Sequence, residues 1–140
     1  MSIAIDTNVL VRLLVRDDEA QFQAARRLVE QVEAAGDSLL LLLSVLLETE
    51  WVLRSRYRLD KTSIAATFAR LLETDGIVFE HEPTAEEALY IWNQHPGADF
   101  ADCLHNARAA QLGRTRFVTF DAGAAKLPRG ELLAPVPLPR

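Results

Sequence analysis

The stretch SIAIDTNVLVRLL, residues 2–14, carries the reading of the fold. "SIAI" is a short apolar run without alternation, the pattern of a strand buried on both faces. "NVLVRLLV" then spaces its apolar residues as a helix does. Between the two stand Asp6, Thr7 and Asn8. A charge in the interior costs several kcal/mol unless something pairs with it. Asp6 is therefore either a helix cap at the surface or a carboxylate that belongs beside a positive group.

The same alternation continues downstream. Asp17 and Asp18 precede a helical stretch, EAQFQAARRLVEQVEAA, that stops near Gly36. SLLLLL reads as a second buried strand and VLLETEWVLRSRY as a helix, which puts Glu48 in that helix's first turn. KTSIAATFARLLETDG is a helix, IVFE a strand, and TAEEALYIWNQH a helix halted by Pro96 and Gly97. DFADCLHNARAAQLG is a helix, RFVTF a strand, DAGAAKL a turn or short helix, and ELLAPV a last strand. Short strands alternating with helices predict an α/β fold with a mainly parallel sheet covered on both faces. No repeat, low-complexity segment or linker interrupts the chain, so residues 1–140 are expected to form a single domain.

An apolar share of 49% is enough for a real core. The longest apolar run, LLLLLSVLL at 39–47, is far short of the ~20 residues that span a bilayer, so no membrane association is expected. The N-terminus lacks the pattern of a signal peptide. Cys103 is the single cysteine, which excludes an intrachain disulfide and a Cys-based zinc site. A cytoplasmic location follows. The net charge of −5 gives no global attraction to nucleic acid, so such a partner would need local basic patches or bound cations.

The acids fall at related positions. Asp6 ends the first strand and Asp121 follows FVTF. Asp99 opens a helix and Asp102 lies three residues on, on the same face. Glu48 follows the Leu-rich strand. Ligands of parallel sheets bind beyond the carboxyl ends of the strands. If those ends adjoin, four or five acids converge, and without a cation such a cluster repels itself. An all-oxygen ligand set favours Mg²⁺ or Mn²⁺, which suit phosphodiester hydrolysis. Asp6, Asp99 and Asp121 could each be a helix cap alone. Glu48 is not at a cap position, and capping leaves a second carboxylate oxygen for a metal.

Four segments, IAIDTNVLVRLL, SVLLETEWVLRSRYRL, GADFADCLHNARAAQLG and FVTFDAGAAKL, together resemble a PIN domain, specifically the VapC-type toxins of prokaryotic toxin–antitoxin pairs. The match spans residues 3–127 in the expected order. The resemblance implies a three-layer α/β/α sandwich and a metal-dependent endoribonuclease, usually inhibited by a cognate antitoxin protein and often a homodimer. It implies RNA as substrate, a metal-activated water as nucleophile, and products with 5′-phosphate and 3′-hydroxyl ends. Residue by residue, it carries the catalytic, metal-holding acids onto Asp6, Glu48, Asp102 and Asp121, with an additional metal-binding acid at Asp99. Thr7, Asn8 and Thr119 match supporting polar positions.

The remaining candidates have ordinary readings beside functional ones. Arg54, Arg56, Arg58 and Lys61 form the densest basic stretch, and Arg12 and Arg16 lie one turn apart. Arg12, Arg54, Arg56 and Arg58 are candidate RNA-phosphate contacts or simply a solvated face. Glu50 with Arg54 at i+4 reads as a surface ion pair worth a few tenths of a kcal/mol. Cys103, Trp51, Trp92 and Phe100 read as packing residues, and His105 as a surface or half-buried imidazole. The tail APVPLPR should be extended. Two rival functions are a non-cleaving PIN-like module that binds RNA or protein, and a phosphatase or receiver-like domain with a phospho-accepting Asp. The second would need another acid beside Asp6, where position 8 is Asn, and a Lys after a late strand, where only Lys126 is available.

Overall fold

Every strand-to-strand connection in this protein passes through helices, and every strand pair is parallel. The two facts go together, because parallel neighbours cannot be joined by a tight turn. The computed structural model describes residues 2–140. The element order is β1 (Ser2–Ala4), α1 (Thr7–Leu14), α2 (Glu19–Ala34), β2 (Ser38–Leu41), α3 (Leu43–Ser55), α4 (Lys61–Glu73), β3 (Ile77–Phe79), α5 (Glu82–Gln94), α6 (Phe100–Gln111), β4 (Phe117–Thr119) and β5 (Gly130–Leu132), with a 3₁₀ turn at Ala124–Lys126. The α/β class expected from the sequence is the class observed. The chain groups into two compact units, Met1–Glu82 and Pro83–Arg140.

In the first unit, β1, β2 and β3 form a parallel sheet in that order, with Ala4 beside Leu40 and Leu40 beside Val78. Leu39 and Leu41 are buried while Ser38 and Leu40 are half-buried. Leu10 and Val11 of α1, Val32 of α2, Leu46 and Leu53 of α3, Ile64 and Phe68 of α4 and Phe79 of β3 complete the core. The leucine run at 39–43 changes from strand to helix within itself. Leu42 is extended at the cap position, and the Leu43 N–H donates to the Glu80 carboxylate at 2.8 Å. An acid 37 residues downstream thus supplies the cap that the leucines lack. This corrects two expectations: the strand ends at Leu41, and Glu48, the sixth residue of α3, lies in its second turn. Three of the other helices, α1, α2 and α4, are capped locally, by Asp6 on Val9, Asp18 on Gln21 and Asp60 on Ser63.

The second unit holds α5, α6 and the parallel pair β4–β5, with Val118 beside Glu131. α5 starts at Glu82, two residues before its expected start. Trp92 and Phe100 are buried and meet edge to face, centroids 5.0 Å apart. Cys103 is buried, as a small core residue should be. The Asn106 side chain on α6 donates to the Pro128 carbonyl at 2.8 Å and accepts from Arg129 at 2.9 Å, so a buried amide holds the approach to β5. At Gly130 a Cβ would clash with the Ala125 carbonyl, so the turn into β5 requires glycine. Residues 133–140 are exposed and form no helix or strand. Trp51, expected to pack, is instead 58% exposed on α3.

Candidate functional site

Phe100 and Trp92 anchor the start of α6, and the acids lie on either side of Phe100 in the sequence. Asp99 occupies the N-cap position with an extended backbone, yet its side chain makes no capping hydrogen bond. Asp102 follows in the first turn. Asp121 comes just after β4, in a turn that fixes it from both sides. Its N–H donates to the Thr119 hydroxyl at 3.0 Å, and its Oδ1 accepts from the Gly123 N–H at 2.8 Å. Asp99, Asp102 and Asp121 each offer a carboxylate oxygen, and these oxygens lie within 4.8 Å of one another.

Like charges so close make full ionisation costly. The Asp102 carboxyl is held above its ordinary 3.8, first by burial and then by Asp121 and Asp99, with His105 acting weakly the other way. Asp102 is half-buried, while Asp99, Asp121 and His105 are exposed. The cluster is open to solvent on an all-oxygen ligand set, the environment that hard divalent cations prefer.

Asp6 and Glu48 stand in the first unit. Asp6 follows β1, is exposed, and caps α1 by accepting from the Val9 N–H at 3.1 Å. It borders a cleft of about 360 Å³ lined by Asn8, Val9, Arg12, Gln21, Ala24 and Leu28. Glu48 is exposed on α3. Thr7 is buried in the first turn of α1, Asn8 is exposed, and Thr119 is half-buried.

Several of the basic candidates are engaged within the protein. Arg12 donates to Gln21 at 2.5 Å, Asp17 at 3.2 Å and Tyr57 at 3.0 Å. Arg54 pairs with Glu50 at 2.8 Å, and Arg56 lies over the Tyr57 ring. Arg58 is exposed in a left-handed conformation. Two features were not read from the sequence. Glu50 is 3% exposed, so its pair with Arg54 is not a surface pair. Gly123 is the backbone donor that orients Asp121, and a glycine two residues after an acid at a strand end was the available signal for that turn.

Among the described residues no helix is long and apolar enough to cross a membrane. The chain is 24% identical over 123 residues to the VapC ribonuclease of Aquifex aeolicus (strain VF5), covering 88% of this chain and 90% of that protein. The PIN domain family model matches residues 3–130, a span that includes Asp6, Glu48 and all three clustered aspartates. The chain belongs to the PIN domain family.

Proposed function

We propose that this protein is a divalent-metal-dependent endoribonuclease acting as the toxin of a toxin–antitoxin pair. One observation carries the reading: in a PIN-family chain similar to a VapC ribonuclease, the oxygens of Asp99, Asp102 and Asp121 approach within 4.8 Å. The donor set fits Mg²⁺ or Mn²⁺. Asp99 is at a cap position with its side chain uncommitted to capping, and Asp102 has a raised pKa that a cation would bring down. When bound, such an ion supplies a water of lowered pKa and counter-charge for the phosphate oxygens.

The chain's own residues then have distinct tasks. Asp99, Asp102 and Asp121 hold the metal. Thr119 and Gly123 keep Asp121 in register by hydrogen bonds to its N–H and Oδ1. Asp6 and Glu48 act as catalytic, metal-holding carboxylates in the same reaction, with Thr7 and Asn8 supporting Asp6. No side chain serves as nucleophile. The family match runs through both compact units, which supports reading residues 1–140 as one domain. An antitoxin that inhibits this chain should place an Arg or Lys at the acids, because charge-assisted pairs with carboxylates are strong, and fill the adjoining groove with apolar residues. Homodimerisation and a cytoplasmic location belong to the same reading.

The test is cleavage of end-labelled RNA with Mn²⁺, with and without EDTA, by the parent, Asp102→Asn and Glu48→Gln. Loss of a group that merely supports a metal ligand costs about 10–100-fold, so each variant should lose at least about 100-fold while staying folded, with a thermal midpoint in EDTA no lower than the parent's. Cleavage that persists in EDTA, or in both variants, would overturn the proposal.

A further inference from the structure

A second recess adjoins the aspartate cluster. It is a cleft of about 340 Å³ lined by Gln94, His95, Pro96, Gly97, Ala98, Gly123 and Lys126. That volume is at the small end of ligand-binding pockets, roughly 300–1,000 Å³. Its walls meet the cluster at two places in the chain. Ala98 directly precedes Asp99, and Gly123 is the residue whose N–H holds Asp121.

The loop that forms one wall is pinned. The Trp92 indole N–H donates to the Ala98 carbonyl at 3.1 Å, and the Ala98 N–H donates to the His95 carbonyl at 3.0 Å. His95 Nδ1 lies 2.9 Å from the Ile91 carbonyl. A cleft shaped this way binds without first ordering its walls, which lowers the cost of binding. The opposite wall carries Lys126, exposed on the 3₁₀ turn and in no ion pair among the described residues. Five arginines are held in ion pairs, Arg12 with Asp17, Arg16 with Glu19, Arg26 with Glu30, Arg54 with Glu50 and Arg116 with Glu131. Gly123 also sets the width of the shared edge. A Cβ there would come within 3.3 Å of Asp121 Oδ1, so a side chain would press on the carboxylate as it narrowed the cleft.

We infer that this cleft is a nucleotide subsite: it receives the nucleotide next to the scissile bond of a single-stranded RNA, and Lys126 binds that nucleotide's phosphate. The inference rests on the nuclease reading above, because it takes the aspartate cluster as the place where the phosphodiester is cut. A metal-holding acidic cluster attracts the phosphate being cleaved but repels the next one along the strand. A cation one cleft away offsets that repulsion and fixes which bond lies over the acids. Lys126 is thus a positioning residue.

The test is equilibrium binding of a short fluorescein-labelled single-stranded RNA, read by anisotropy in Ca²⁺ over a range of NaCl, for the parent, Lys126→Met, Lys126→Arg and Arg27→Met. Each phosphate contact to single-stranded nucleic acid contributes about 0.7 to the slope of log K against log salt. Lys126→Met should therefore flatten the slope by about 0.7 and weaken binding about fivefold near 0.1 M salt. Lys126→Arg should restore most of both. Arg27→Met, at an exposed cation on α2, should change neither. An unchanged slope in Lys126→Met, an equal loss in Arg27→Met, or no RNA binding by the parent would overturn the subsite. Cleavage of RNA by the parent in Mn²⁺ is scored separately, so a failure of the subsite is told apart from a failure of the nuclease reading on which it rests.

Discussion

Replacing Arg54 by Met should destabilise this protein far more than loss of a helix-surface ion pair would. The Glu50 carboxylate is 3% exposed and receives the Arg54 Nε at 2.8 Å and Nη2 at 3.4 Å. Arg54 is itself 52% exposed, so water reaches the guanidinium far more than the carboxylate. Removing one partner of a buried pair costs about 3–5 kcal/mol, because the remaining charge is left without compensation. Partial access to water through the space Arg54 leaves puts the cost at the lower end, about 3 kcal/mol. Unfolding entropy near 2.1 cal/mol/K per residue gives roughly 0.3 kcal/mol/K for this chain. The midpoint in a calorimetric melt should then fall by about 10 °C. The double variant Glu50→Met/Arg54→Met should recover most of the loss, since an apolar pair of similar volume replaces a buried ionic one at little cost. If Arg54→Met melts within about 2 °C of the parent, the burial of Glu50 carries no such penalty and the reasoning fails. If the double variant is as unstable as the single one, Arg54 acts through packing of its stem and not through the carboxylate.

Two further outcomes follow from the clustered acids. With Mg²⁺ or Mn²⁺ at ten times its dissociation constant, the protein should gain about 1.4 kcal/mol, or roughly 5 °C in a thermal melt; Asp102→Asn should raise the midpoint without metal and remove most of the gain with it. Acid should act in two directions in EDTA. Asp102 has a folded pKa above its ordinary 3.8, so the stability it supplies is fully present below the unfolded value and is lost as pH rises through the folded one. Glu19, lowered to about 2 by Arg16 and then Gln23, and Asp17, lowered chiefly by Tyr57, have the opposite sign: their contribution is present above the unfolded pKa and lost as pH falls through the folded one. The urea midpoint should therefore rise on going from neutral to mildly acid pH and fall again below about 4, and the rise should be absent in Asp102→Asn. A midpoint that falls steadily from neutrality would refute the assignment of strain to Asp102.

The order of elements was readable because each helix advertises a local period and three of the six carry their own side-chain cap. Asp18 and Asp60 stop the preceding chain and accept from the N–H three residues on, which is a sequence-local device. The leucine run was not readable to the residue, because five leucines have no period to separate a strand from a helix. The switch at Leu42 and Leu43 depends on Glu80, brought up by β3, and no window around position 43 contains that information. The exposure of Trp51 was hidden for the same reason. A tryptophan at helical spacing reads as core, but α3 buries Leu46, Thr49, Glu50 and Leu53, and that choice of face is made by what α3 packs against.

Capping and metal binding could not be separated at Asp6, Asp99 and Asp121 from sequence, since both use an acid where a strand gives way to a helix. The three acids adopt three different geometries. Asp6 caps, with its Oδ1 on the Val9 N–H. Asp121 closes a turn on Gly123 with one oxygen, and a carboxylate has another to give. Asp99 holds the cap position and does not cap. An exposed acid gains about 1 kcal/mol by capping a helix, so one that forgoes the bond beside two other carboxylates has a charge that local structure does not use. A bound cation would use it. That makes Asp99 the most informative of the three to neutralise. Asp99→Asn keeps a cap-competent side chain while removing a charge from the cluster, so it should leave or raise the thermal midpoint without metal and lower the affinity for Mn²⁺. Had Asp99 been a cap and nothing more, Asn would serve equally well, and Mn²⁺ affinity would not change.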